Sequence, residues 1–292
     1  MSHVTELSPG TWQISHPFLG ENEIIGSYLL TGGNELAIVD PGPGSVVDSL
    51  LDAIREAGFA PQDVTHILAT HVHLDHAGAA GTLVKLMPKA RVYVHGLGAP
   101  HLLDTTKVVA SASRIFGERM KLLWGEIEST PIDRLKIIEG GDKLIVAGRR
   151  LEVHYTPGHA IHHVIFFDAH SGEAFVPPDL DLEAWSESMN LVKDLRPDVL
   201  YIGHFGAVKN IAPHFEDLRE KLYSWGDFVL AAMRDGKNEA EIIEMLIEHT
   251  RPALLQAAQD PRALERYEIA TNYPMTVQGY MRYWKKKHSE RL

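Results

Sequence analysis

Apolar runs at 11–15, 26–31 and 35–40, the last two joined across Gly32-Gly33-Asn34, predict a β-hairpin and its neighbouring strand at the start of the chain. The stretch from Asp40 to Ser45, with two prolines and two glycines, cannot continue a strand. Apolar residues then recur at helical spacing over 46–57 until Gly58 stops them. An apolar run at 65–70 reads as a strand, 77–87 as a helix ended by Pro88, and 91–95 as a strand again. Alternation of this kind predicts an α/β layered domain.

Residues 100–130 read as a helical insertion, with 113–123 its main helix and Pro131 closing it. The pattern from 135 to 168 returns to β, through 143–146, 150–155 and 164–167. A helix at about 182–195 and a strand at 199–202 follow. Beyond Pro213 helix formers dominate, with helices expected at 214–234, 239–258, 262–270 and 275–287. The chain therefore divides into a layered domain, 1–212, and a C-terminal α-helical appendage, 213–292. Tyr280, Tyr283 and Trp284 form a stripe that is expected to pack onto the parent domain, and Lys285 to Lys287 a solvated helix end.

Composition narrows the function. A chain of 292 residues with 45% hydrophobic content can bury a large core. Its net charge of -11 argues against nucleic acid as a partner, since phosphate backbones call for a basic face. No apolar stretch is long enough to span a bilayer, and the first residues lack the basic and apolar regions of a secretion signal, so a cytoplasmic protein is expected. A small-molecule substrate is the expected partner, with a homodimer left open. The absence of cysteine leaves histidine and carboxylate to carry any metal chemistry.

Directly after the 65–70 strand come His71, Val72, His73, Leu74, Asp75 and His76. Four potential ligands within six residues at a strand end point to a metal site, and imidazole with carboxylate suits zinc, iron or manganese. In an extended segment, positions 71 and 73 face the same way. Two further histidines, His159 after Thr156-Pro157-Gly158 and His204 after Tyr201-Ile202-Gly203, also sit where a strand gives way to a tight turn.

This order of a His-x-His-x-Asp-His loop, a Pro-Gly-His turn and a Gly-His turn resembles the metallo-β-lactamase superfamily over about positions 10 to 210. The resemblance implies a four-layer αβ/βα sandwich with metals in a cleft at the sheet ends. It assigns His71, His73 and His159 to one metal, and Asp75, His76 and His204 to a second. It implies one or two zinc ions, with iron or manganese as alternatives, and a metal-activated hydroxide attacking an ester, lactone, thioester or related substrate. Asp75 would protonate the leaving group.

The sequence departs from the family at one point. A bridging aspartate is expected in a Gly-Asp step after the strand at 173–176, but Pro177-Pro178-Asp179 stands there. Either Asp179 is the bridge, or a segment carrying the bridge is absent and Asp179 is a turn residue leading into the next helix. The helix-lead-in pattern favours the second, and hence a weakly held second metal. His163 either lines the cleft or orients a ligand, with a structural role as the alternative for both His162 and His163. His66, His95 and His101 are expected to be structural. Asp40, by analogy with the family, would hydrogen-bond the motif loop or serve as a plain turn residue. Two other functions remain open: an iron-dependent sulfur dioxygenase, and a catalytically impaired binding relative. Histidine at position 73, where the di-iron flavoprotein branch tends to carry glutamate, favours hydrolysis over oxygen or nitric oxide reduction.

Overall fold

The computed structural model describes residues 3–176, 182–257 and 261–287. Two sheets face each other. The first runs in the order β1 (His3–Ser8), β2 (Thr11–Phe18), β3 (Glu21–Gly32), β4 (Glu35–Val39), β5 (Val64–Leu68), β6 (Arg91–His95), β7 (Leu135–Ile138). Its first four strands pair antiparallel and its last four parallel. The second sheet holds β8 (Lys143–Val146), β9 (Arg149–Tyr155), β10 (Val164–Asp168), β11 (Glu173–Val176), β12 (Val199–Ile202) and β13 (Ala207–Val208) in sequence order across the sheet. Only β11 and β12 pair parallel in it.

Strands buried on both faces need apolar residues at every position, and β4 and β5 largely supply them. Leu68 and Val39 point between the sheets, where they meet Phe166, Phe175 and Tyr201. Ile67 and Ile38 point outward onto helices α1 (Val47–Glu56) and α3 (Ala80–Leu86) through Leu50, Ile54, Leu83 and Val84. On the far side, Ile165, Phe167 and Leu200 pack against Trp185, Met189 and Val192 of α7 (Leu182–Leu195) and Phe215 of α8 (Ile211–Arg234). The result is an α/β sandwich of four layers, helix, sheet, sheet, helix. Shortening a fully buried side chain such as Ile67 to alanine would cost about 2–5 kcal/mol.

Between α1 and α7 lie also α2 (Leu74–Ala77), α4 (Ala99–Leu103), α5 (Thr106–Phe116) and α6 (Met120–Trp124). The single helix expected over 113–123 is broken. Gly117 takes φ +52°, in the left-handed region that ends a helix, so α5 stops before it and α6 starts three residues beyond it.

The C-terminal helices α9 (Glu239–Ala257), α10 (Pro261–Thr271) and α11 (Tyr273–Lys287) form an appendage. Tyr280 and Trp284 are buried against α8, donating to the carbonyls of Leu222 and Gly226 at 2.8 Å each. The aromatic stripe thus packs on α8 rather than on the sheets. Lys287, expected to be solvated, pairs with Glu183. Leu222 of α8 contacts both the appendage core and the core beneath the second sheet. Among the described residues, no helix is long and apolar enough to cross a membrane.

Candidate metal centre

Both sheets end strands on one rim, and the motif residues hang from it. β5 ends at Leu68, His71 and His73 follow in extended backbone, and α2 then winds one turn that brings Asp75 and His76 back toward the rim. His159 arrives from the loop after β9 and His204 from the loop after β12. Two groups result.

The first is nitrogen alone. Nε2 of His159 lies 2.8 Å from Nε2 of His71 and 2.8 Å from Nδ1 of His73. The second mixes charge: Oδ2 of Asp75 lies 3.3 Å from Nε2 of both His76 and His204. In each group one ligand atom per residue falls within 4.8 Å of the others. Burial and the neighbouring imidazoles push His71 and His159 well below the ordinary histidine range, so both are neutral donors with lone pairs to offer. His76 goes the other way. Burial opposes its charge, but the carboxylates of Asp75 and Asp40 outweigh it and raise it to about 10. Asp75 itself is destabilised as an anion by burial, yet His76 and His204 hold it well below the usual carboxylate range.

Asp40 supports both groups. Its Oδ2 accepts from Nδ1 of His76 at 3.0 Å, which turns Nε2 of that ring toward Asp75. The same carboxylate accepts from the Thr70 hydroxyl at 2.8 Å and the Thr70 backbone N–H at 2.8 Å. Because the hydroxyl hydrogen is committed to Asp40, Thr70 Oγ1 accepts from Nδ1–H of His71 at 3.0 Å, and Nε2 of His71 is left as the donor atom of its group. One carboxylate fixes the tautomers of two histidines. Asp40 sits at φ +50°, an uncommon backbone state. Its carbonyl is held there by the Ser27 hydroxyl at 2.5 Å, and Ser27 in turn accepts from the fully buried His16 at 2.7 Å.

Gly203 is a second fixed point. A Cβ there would stand 2.9 Å from Cε1 of His76 and 3.1 Å from Oδ2 of Asp40, so the Gly-His turn carries glycine to bring His204 close.

Tests of fit favour a cation in both groups. Nε2 of His76 is buried and makes no hydrogen bond, although Asp75 is 3.3 Å away. The first group gathers three imidazole nitrogens, a donor set suited to zinc.

The remaining histidines divide. His163 is buried, with Nδ1 donating to the carbonyl of Thr156 at 2.7 Å, while its Nε2 has no hydrogen bond and its ring lies 5.7 Å from that of His71. His162 is also buried, its Nδ1 without a hydrogen bond and its ring 6.4 Å from His71 and 6.1 Å from His101. His66 stacks on Tyr93, and His95 pairs with Glu139. Asp179 lies outside the described residues. Sequence reasoning missed the roles of Thr70, Ser27 and His16; of these only Thr70 carried a signal, as the hydroxyl immediately before His71.

The sequence model of the metallo-beta-lactamase superfamily matches residues 23–176. A metallo-beta-lactamase fold-containing protein of Sulfurisphaera tokodaii is 27% identical over 220 residues, 68% of this chain and 80% of that protein. A thioesterase of Emericella nidulans is 24% identical over 213 residues, 70% of this chain; the chain spans only 50% of that protein's length. Among solved structures, a metallo-beta-lactamase family protein of Thermus thermophilus matches with a TM-score of 0.73 and 25% identity, covering 97% of this chain and 95% of that one.

Proposed function

Since the chain belongs to the metallo-beta-lactamase superfamily, we propose that it is a metal-dependent hydrolase of a small ester, lactone or thioester. The observation that carries this reading is the pair of three-ligand groups hung from one carboxylate, Asp40. His71, His73 and His159 would hold the tighter ion. Asp75, His76 and His204 would hold a second, weaker one, because His76 must give up a strongly held proton to bind it. Zinc is the ion we propose, with iron or manganese as alternatives. A bound divalent cation supplies Lewis acidity and lowers the pKa of water.

The protein's own groups supply the rest. Asp75 is a carboxylate, so it accepts a proton first and returns it to a leaving group afterwards. Asp40, Thr70 and the ring of His76 keep donor atoms aimed at the cleft. His162 and His163 are buried beside the first group, their rings 6.0 Å from His73 and 5.7 Å from His71. The thioesterase among the relatives supports carbonyl esters and thioesters as the class to try first. A net charge of -11 supports small molecules rather than nucleic acid as the substrate class.

Elemental analysis of purified protein, with turnover of an ester, lactone and thioester panel, tests the reading. At least one zinc per chain, and hydrolysis lost in His71→Ala together with that zinc, is the expected result. One iron per chain with oxygen uptake on a persulfide would replace it with the dioxygenase reading; no metal and no turnover would leave a binding relative.

A further inference from the structure

The rim that carries the two ligand groups also carries a cavity that neither uses. It has a volume of about 470 Å³ and is lined by His95, Gly96, Leu97, Glu139, Gly140 and Tyr155. Three strands deliver it by their C-terminal ends: β6 ends at His95, β7 at Ile138 and β9 at Tyr155. β9 is also the strand whose next loop holds His159. The Tyr155 hydroxyl donates to the Ile161 carbonyl at 2.8 Å, closing that loop across its base.

The chemistry of the walls is specific. Leu97 N–H donates to Nδ1 of His95 at 3.3 Å, so the ring carries its proton on Nε2 and gives it to Oε2 of Glu139 at 2.8 Å. A neutral imidazole anchors the carboxylate without neutralising it. Among the described residues, no lysine or arginine pairs with Glu139, whose side chain stays 57% exposed. Tyr155 stacks on the same imidazole, ring centroids 4.7 Å apart and nearly coplanar at 11°. Glycine is needed at one corner, where a Cβ on Gly140 would stand 2.8 Å from Cβ of Tyr155 and 3.1 Å from its backbone nitrogen; at the other, a Cβ on Gly96 would meet only the movable end of the Glu139 side chain. Leu97 and Ile161 leave apolar surface at the rim.

A carboxylate without a lysine or arginine partner, an aromatic ring beside it and apolar surface around it together match one ligand chemistry, an ammonium on an alkyl or aryl stem. On the loop that β9 sends from Tyr155 to His159 and beyond, His162 is only 7% exposed, with an Nδ1 that has no hydrogen bond and a ring 6.0 Å from that of His73. We propose that this cavity is the distal half of the substrate site and binds a protonated amine carried by the substrate away from its scissile carbonyl. Naming the ligand a substrate rests on the hydrolase reading; the binding of an amine does not.

Two arms separate these statements. Calorimetric titration with phenethylammonium chloride, which has no scissile bond, compares wild type with Glu139→Gln, where the amide oxygen still accepts from His95. Saturable binding weakened about two- to fivefold in the variant is expected, the size of an exposed ion pair. No binding, or equal binding in both proteins, overturns the amine site. The second arm compares kcat/KM for two thioesters that differ only in carrying an ammonium or its N-acetyl form. A preference for the ammonium thioester that shrinks about two- to fivefold in Glu139→Gln supports the distal site, and no preference overturns it. Glu139-dependent binding without turnover of either thioester sinks the hydrolase reading while leaving the amine site standing. Thermal melts of both proteins establish that the variant is folded.

Discussion

The two ligand groups both gather histidine nitrogens, three in one and two beside a carboxylate in the other, and behave as electrostatic opposites. Around His159 three imidazoles face one another with no carboxylate among them, and burial strips their protons. Around Asp75 a carboxylate lies between two imidazoles, and with Asp40 behind, His76 keeps its proton. The first group is ready for a cation as it stands; the second has to exchange a proton for one. The difference comes from where carboxylates are placed, not from the number of histidines.

The strongest way to break this comparison is to delete a nitrogen donor. His159→Ala should abolish hydrolysis, a loss of about 10³-fold or more, with the tighter metal lost in elemental analysis. Asp40→Asn should disturb both groups at once, because the amide has one acceptor oxygen where the carboxylate has two, and cannot accept from the Thr70 N–H on one side and from His76 and the Thr70 hydroxyl on the other. Metal affinity should fall about 10–100-fold in each. A loss confined to one group, measured by chelator competition, would show that Asp40 is not shared. Gly203→Ala sharpens the contrast further, since the added methyl meets His76 and Asp40 but no member of the first group. The weaker metal should be lost and the tighter one kept.

The smallest effect is on pH dependence of the metal-free protein. His76 is raised above its unfolded value, so its contribution to stability is complete below about pH 6.5 and is lost as pH rises toward about 10. His71 and His159 are lowered, so they destabilise the fold when pH falls below about 6.5 and the unfolded chain takes up protons. Thermal melts should therefore fall off on both sides of neutrality, and zinc should remove the alkaline limb. An alkaline limb that survives in His76→Gln would refute its origin in His76.

Much of this was legible in the sequence, and the reason is local. β5 and β6 are largely apolar runs bounded by polar turns, and α7 and β12 fall within the ranges that periodicity predicts. The motif loop could be read because four ligands stand almost side by side. Gly117 was passed over because a lone glycine does not announce a positive φ, and so two helices were read as one. The cavity at Glu139 was invisible for a different reason. Its walls come from strand ends of both sheets, β6, β7 and β9, and only the strand order brings them together. His95, expected to be structural, anchors the carboxylate there. The division at 212/213 remains a proposal, and α8 begins at Ile211, just before it.

That helix serves two masters. Phe215 and Leu218 near its start help roof the second sheet, while Val229 and Leu230 further along form the floor for Tyr280 and Trp284. A chain cut at the proposed boundary would bare the sheet from which the His204 loop emerges, so the tail is welded to the catalytic body and trimming it should deform the cleft rather than free a smaller enzyme.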